Sequence, residues 1–334
     1  MLVNEEPFMT LSRRSFISAA ASIAGAGAVA PAMSSIALAA APKIGTQVPG
    51  IYRFSVGDIE VTAILDGHLG LDPSLVIGFD QKVAEKTLKQ NFLSPNTADM
   101  SISVNGYLIN TGDKLVVVDT GTADLMGPTL GRFHQNLKAA GYDASDVDAV
   151  VLTHLHIDHV GGLISKAGEK LFPNAEFIVH EVEYNFWHDE GTRSKFPKDL
   201  QHFVDLAQNV SKPYENHKTL ISKDGEFIKG LDAVFLPGHT PGHMGIRVHS
   251  NNEEVLIWGD TVHSIGLQFA NPDWTIAFDT DQEVARQTRR RILDQVSADR
   301  TPVVGIHHDF PGLGHVRKAG SAFEYHEVSW QHKI

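Results

Sequence analysis

The stretch Thr153-His154-Leu-His156-Ile-Asp158-His159-Val-Gly-Gly162 constrains this chain more than any other, because it gathers three imidazoles and a carboxylate within six residues. It directly follows the apolar run Val150-Val151-Leu152, so these side chains leave the end of a buried strand, where ligands can converge. A metal site is the reading. Side chains at i and i+2 of an extended segment point the same way, so His154 and His156 can hold one ion while Asp158 and His159 turn toward a second. Two sites need further donors. Leu236-Pro-Gly-His239-Thr-Pro-Gly-His243, Leu256-Ile-Trp-Gly-Asp260 and Val303-Val-Gly-Ile-His307 each end an apolar run on a histidine or a carboxylate. Each donor sits where a strand stops, which is where open sheets place their chemistry.

The N-terminus reads as an address. Ser12-Arg13-Arg14-Ser15-Phe16-Ile17 is a twin-arginine pattern, followed by an Ala/Gly-rich stretch and the small-residue site Ala37-Leu38-Ala39, so residues 1–39 are expected to be an export signal. The alternative is an uncleaved membrane anchor, for which Gly, Ser and Pro make this stretch a poor helix. Residues 40–334 then form one domain, delivered to the periplasm, with no stable membrane anchor. The chain has no cysteine, which excludes both disulfides and thiolate metal ligands. Its formal net charge is −12, and a body this acidic should repel nucleic acid. A neutral small-molecule substrate is compatible with it.

Periodicity sketches an α/β sandwich. Ile51 to Val56 and Ile59 to Leu65 alternate apolar and polar around Gly57-Asp58, as a hairpin would. Residues 103–110 and 114–118 continue that sheet, and residues 233–236, 245–248 and 255–258 repeat the plan. Helices are expected from Pro128 to Ala140 and from about Asp281 to Val296. The segment from Tyr184 to Tyr214, with Phe186, Trp187, Phe196 and Phe203, reads either as helices capping the metal face with an apolar wall or as ordinary packing of a helical pair. Arg289-Arg290-Arg291 reads as a solvated helix face. His243, His308 and His315 stand beside the candidate ligands and are expected to be hydrogen-bonded neighbours or surface groups.

The residues His154, His156, Asp158, His159, His239, Asp260 and His307, with Val116-Val-Val-Asp119-Thr-Gly upstream, resemble the metallo-β-lactamase superfamily of hydrolases. The resemblance implies a four-layer αββα sandwich. It also implies that His154, His156 and His239 bind a first ion, Asp158, His159 and His307 a second, that Asp260 bridges them, and that Asp119 steadies the region. Two divalent ions per chain follow, with zinc expected, although manganese, cobalt and iron suit the same donors. Two ions sharing a water would lower its pKa to about 7 or below, so a metal-bound hydroxide is the expected nucleophile, with Asp158 or Asp260 passing the proton.

Several glycine-bearing turns, among them Gly106-Tyr-Leu-Ile-Asn-Thr-Gly and Phe310-Pro-Gly-Leu-Gly-His315, look like methyl parathion hydrolases and the related lactone and arylester hydrolases. At the places where the organophosphate specialists carry their pocket residues, this chain has Met126, His263, Ile276 and Phe278, which with Trp187 form the expected substrate pocket. His263 is the expected polar group over the metals, the alternative being a hydrogen-bonded loop histidine; for Met126, Ile276 and Phe278 the alternative is core packing. A lactone or ester hydrolase is the first reading and an organophosphate triester hydrolase the second. A β-lactamase and a non-catalytic metal-binding protein are less supported. Relatives lead to the expectation of a homodimer.

Overall fold

The structure is a computed structural model that describes residues 41, 43–198 and 200–332; the proposed export signal lies outside them. Residues 48–334 form one compact unit. Alternating burial along Ile51–Val56 places Tyr52, Phe54 and Val56 inward, and this strand opens a seven-stranded sheet through its hairpin with Ile59–Gly70. The order continues through Ser101–Asn110, Leu115–Val118, Ala149–Val151, Glu176–His180 and Lys218–Ile221, and the last three joins are parallel. The second sheet also has seven strands, in the order Ala322–Glu327, Leu313–Ala319, Val303–Val304, Glu253–Ile257, Met244–Ser250, Leu231–Phe235 and Gly225–Ile228.

Three apolar clusters show why the layers stack as they do. Val61, Val116, Val118, Val151 and Ile178 of the first sheet meet Ala233, Met244, Ile246, Val255, Ile257 and Val304 of the second in one buried core between the sheets. The opposite pleat of the first sheet, with Leu108, Val117, Val150, Phe177 and Val179, is covered by helical residues Phe133, Leu137, Val204, Ala207 and Val210. The outer face of the second sheet, with Leu256, Val303 and Val316, is covered by Ile292, Leu293 and Val296 of helix Gln282–Asp299. Two sheets packed face to face with helices on both outer sides match the expected αββα sandwich. Strand period two sends alternate residues to the inner and outer clusters, so each parallel strand is apolar on both faces.

Two expectations need correction. The helix expected from Pro128 begins only at Phe133 and runs to Ala139, because Gly131 takes a left-handed φ of 85° that no helix accommodates. A Cβ there would lie 2.2 Å from the Ala123 carbonyl oxygen, and the Gly131 N–H instead donates to Asp66 Oδ2 at 3.1 Å. Arg289 is not on a solvated face. It is 1 % exposed, since it shares the inward stripe of its helix with Ala285, Ile292 and Leu293.

The sheets are also tied by polar contacts near one end. Asn105 Nδ2 donates to the carbonyls of Gly305 (3.2 Å) and His308 (2.8 Å), and the Tyr107 hydroxyl donates to Gly305 at 2.9 Å. Strand Ser101–Asn110 of the first sheet is thereby fastened to the loop that carries His307 in the second. Among the described residues no helix is long and apolar enough to cross a membrane.

Candidate metal centre

All seven candidate ligands lie beyond strand ends on one edge of the sandwich. His154 and His156 follow Ala149–Val151, and the short helix Ile157–Val160 presents Asp158 and His159. His239, Asp260 and His307 follow Leu231–Phe235, Glu253–Ile257 and Val303–Val304 of the other sheet. The fold brings them into groups whose donor atoms lie within 4.8 Å of one another: His154, His156, His239 and Asp260 in one, and Asp158, His159 and His307 in another. Asp260 reaches both. Its Oδ2 is 3.7 Å from His154 Nε2, 3.2 Å from His239 Nε2 and 3.1 Å from His307 Nε2, while its Oδ1 is 3.3 Å from His159 Nε2. His307 Nε2 is 3.4 Å from Asp158 Oδ2.

The outer nitrogens of these rings are already engaged. His159 Nδ1 donates to Asp119 Oδ2 at 2.7 Å, His239 Nδ1 to Asp279 Oδ1 at 2.7 Å, and His307 Nδ1 to the Ser103 carbonyl at 2.9 Å. That arrangement turns the Nε2 of His159, His239 and His307 toward the common centre, while His156 brings its Nδ1 to 2.9 Å from His239 Nε2; metal-binding histidines are held in this way. His154 Nε2, His159 Nε2 and Asp260 Oδ1 are buried with no hydrogen-bond partner, a state that costs on the order of 1–3 kcal/mol per group unless something else satisfies it. The residues fit divalent cations.

The electrostatics agree. Burial opposes charge on His239, yet Asp260 and Asp279 outweigh it and raise this imidazole to about 9. His159 is raised in the same way by Asp260, Asp158 and Asp119 against the effect of burial. Burial would raise the Asp260 carboxyl, but His159 and His307 hold it well below the usual carboxylate range. His154 and His156 are pushed well below the ordinary histidine value by burial and by neighbouring imidazoles. The carboxylates therefore favour positive charge at the centre, which a cation would supply in place of the ring protons of His159 and His239, while His154 and His156 stay neutral with a lone pair free.

The chain belongs to the metallo-β-lactamase superfamily. The family model of that description matches residues 102–308, more than half of the chain. The chain is a metal-dependent hydrolase of this superfamily. Among solved structures, it resembles AbOPH, a hydrolase in the beta lactamase superfamily, with a TM-score of 0.81 and 32 % identity over 86 % of this chain and 100 % of that one. It resembles AidC, a dizinc quorum-quenching lactonase in complex with a product, with a TM-score of 0.80 and 26 % identity over 85 % of this chain and 99 % of that one. An N-acyl homoserine lactonase from Bacillus sp. is 25 % identical over 222 residues, which is 61 % of this chain and 80 % of the relative.

A cavity of ≈ 490 Å³ opens onto the centre, floored by His156, Asp158, His239, Asp260, His263 and His307. Met126, Phe186, Trp187, Phe196, Phe203 and Phe278 line its apolar side. The Tyr184–Tyr214 segment therefore forms the wall, carried on helices Glu181–His188, Glu190–Lys195 and Gln201–Ser211. Of the five expected pocket residues, Ile276 is misplaced. Thr275–Ile276 pairs with Val76–Ile77 as a short ribbon, which turns the Ile276 side chain into a separate cluster with Leu71, Leu88 and Leu267. His263 lines the cavity with its Nε2 3.2 Å from Asp260 Oδ2, and its ring stacks on that of His307 at 5.2 Å.

His243 is fully used elsewhere: its Nδ1 donates to the Leu236 carbonyl at 2.7 Å and its Nε2 accepts from the Asp260 backbone N–H at 3.0 Å. Burial and the nearby His239 push it to about 3. His308 packs among Trp258, Phe269 and Tyr325, and His315 is exposed. Asp119 holds a left-handed φ of 55° while accepting from Thr153 N at 2.9 Å, Thr153 Oγ1 at 2.8 Å and His159, a strained conformation fixed by its contacts. Three supports escape sequence reasoning. Asp279 orients His239, and Arg289 lies 3.7 Å from Asp279 Oδ2 while donating to the Thr261 carbonyl at 2.6 Å. Glu183 is buried beneath both histidine loops. Burial would raise Asp279, yet its hydrogen bond to His239 holds it at about 2.

Proposed function

We propose that the protein is a dinuclear zinc hydrolase that opens lactones bearing an apolar substituent, acting in the periplasm as a homodimer. The apolar cavity ending on the seven-donor cluster carries this reading: a hydrophobic group can fill the aromatic side while a polar ester reaches the floor. The product-bound lactonase AidC supports it as a relative. In this reading His154, His156 and His239 hold the first ion, Asp158, His159 and His307 the second, and Asp260 bridges.

When bound, two divalent ions would supply Lewis acidity and an activated water at neutral pH. The chain supplies the rest. Asp158 is the more accessible carboxylate at the floor and can carry the proton from attacking water to the departing ring oxygen, giving a hydroxy acid. His263, between Asp260 and the cavity, is the polar group offered to the carbonyl oxygen as charge develops there. Trp187 and Phe278 exclude water from the apolar side.

Phosphotriester hydrolysis is the second reading. Ile276, expected among the pocket residues, is withdrawn into the core, which leaves more room for a third substituent. Assaying the purified enzyme on an acyl homoserine lactone, dihydrocoumarin, an aryl ester, methyl parathion and a cephalosporin separates the readings; a preference for methyl parathion would overturn the lactonase. Fractionating cells that express Arg13→Lys with Arg14→Lys tests export, since the paired guanidinium groups are the address. Sedimentation of the purified enzyme tests the dimer.

A further inference from the structure

Glu183 is fully buried, and no ligand assignment explains why. Its two oxygens are each shared by two donors. Oε1 accepts from the Leu155 backbone N–H at 3.0 Å and from the Trp187 indole N–H at 2.6 Å. Oε2 accepts from the Thr240 hydroxyl at 2.6 Å and from the Gly242 backbone N–H at 3.0 Å. Leu155 stands between His154 and His156, and Thr240 follows His239. One carboxylate thus fastens both loops that present the three histidines of the first ion. The same carboxylate holds Trp187, which lines the cavity and meets the His156 ring edge-on at 5.6 Å.

The packing leaves little slack. A Cβ at Gly242 would lie 2.0 Å from the Glu183 backbone nitrogen, so the His239 loop rests directly on the first turn of helix Glu181–His188. By contrast, the second group depends on other supports: His159 on Asp119 and His307 on Ser103. Burial raises the Glu183 carboxyl, and the four donors oppose that. A neutral carboxylic acid would turn one acceptor oxygen into a donor facing donors, so the hydrogen-bond pattern calls for the carboxylate.

We propose that Glu183 is a positioning residue that couples the aromatic wall to the first metal position: it aligns His154, His156 and His239 for that ion and fixes Trp187 through the same oxygens. A substrate that presses on Trp187 would then be felt by the histidine loops. The second position is outside this linkage. The idea rests on the dinuclear reading above.

The test is a chelator titration of the holoenzyme, with bound metal measured per chain, beside steady-state kinetics on a lactone. Glu183→Gln replaces one shared oxygen by an amide that cannot accept from Thr240 and Gly242, or from Leu155 and Trp187. It should release one ion at about ten- to a hundredfold lower chelator concentration while the other is retained as in the unmodified enzyme. Trp187→Phe keeps an aromatic wall but removes one donor. It should shift the same release by a few-fold, in addition to any change in KM. If Glu183→Gln folds with an unchanged melting temperature and releases both ions at the unmodified concentration, the coupling is wrong. Should Glu183→Gln fail to fold, Trp187→Phe and Thr240→Val decide: a change in KM alone, with metal release unmoved, overturns the proposal. A single ion in the unmodified holoenzyme would instead refute the dinuclear reading, and the effect of Trp187→Phe on that ion's release would still decide whether wall and metal are coupled.

Discussion

The floor and the wall of the cavity are built by different means. The floor is made of side chains at strand ends of both sheets, with His154 and His159 fully buried, and with most outer nitrogens held by a carboxylate or a backbone carbonyl. The wall hangs on three short helices and the turn after Thr275–Ile276; its Phe186, Phe196 and Phe203 are only half-buried, and Phe278 on that turn is 47 % exposed. Changing a floor group strands buried polar atoms, and so does changing Trp187, the wall residue bonded to Glu183, whereas changing one of the wall phenylalanines alters contact area with little further consequence. The chemistry thus resides where substitution is most costly, and the choice of substrate where it is least so.

Removing the bridging group should break the floor for every substrate. Asp260→Ala is expected to lower kcat/KM by at least about a thousandfold on a lactone and on an aryl ester alike, with fewer than two metal equivalents per chain. Metal analysis beside both assays checks this; an effect confined to one substrate would mean that Asp260 belongs to the wall. Next in size is a floor support far from substrate. Arg289→Met leaves Asp279 buried beside an uncharged side chain and strips donors from the Thr261 and Trp274 carbonyls, which should destabilise the fold by about 3–5 kcal/mol. Urea denaturation measures it, and a loss below about 1 kcal/mol would show that the guanidinium is dispensable there.

At the border between floor and wall stands His263. His263→Leu should shift the ratio of dihydrocoumarin to methyl parathion kcat/KM toward the phosphotriester by roughly ten- to a hundredfold, the worth of one hydrogen bond and a reshaped surface. An unmoved ratio would make it a loop histidine that merely contacts Asp260. The smallest effect belongs to the wall proper. Phe278→Ala should raise KM for a long-chain lactone by about three- to tenfold, leaving metal content and melting temperature unchanged; a metal loss would erase the distinction drawn between the two regions.

The same division explains what could be read from the sequence. His154, His156, Asp158 and His159 are legible because the motif is local and its residue types are chemically specific. His239, Asp260 and His307 are legible because each ends an apolar run. The supports are silent in the sequence: Glu183 and Asp279 are charged residues with no motif around them and Arg289 opens a run of three arginines, where a solvated face is the ordinary outcome, and only tertiary packing buries them. Ile276 misleads for a related reason, since a two-residue strand has no periodicity to show which way its side chain turns. The late start of the helix at Phe133 follows from a backbone conformation at Gly131 that glycine permits but does not announce.

The fastening of strand Ser101–Asn110 to the His307 loop, through Asn105, Tyr107 and the Ser103 carbonyl, makes the complete ligand cluster depend on the docking of the two sheets. The first sheet carries four of the seven donors and the second three, so neither alone completes either group. Bound metal then serves as a tally of finished molecules. In a preparation of mixed quality, metal per chain should fall in proportion to the misassembled fraction, and adding ions to a misfolded pool should restore neither metal content nor activity until the two sheets have docked.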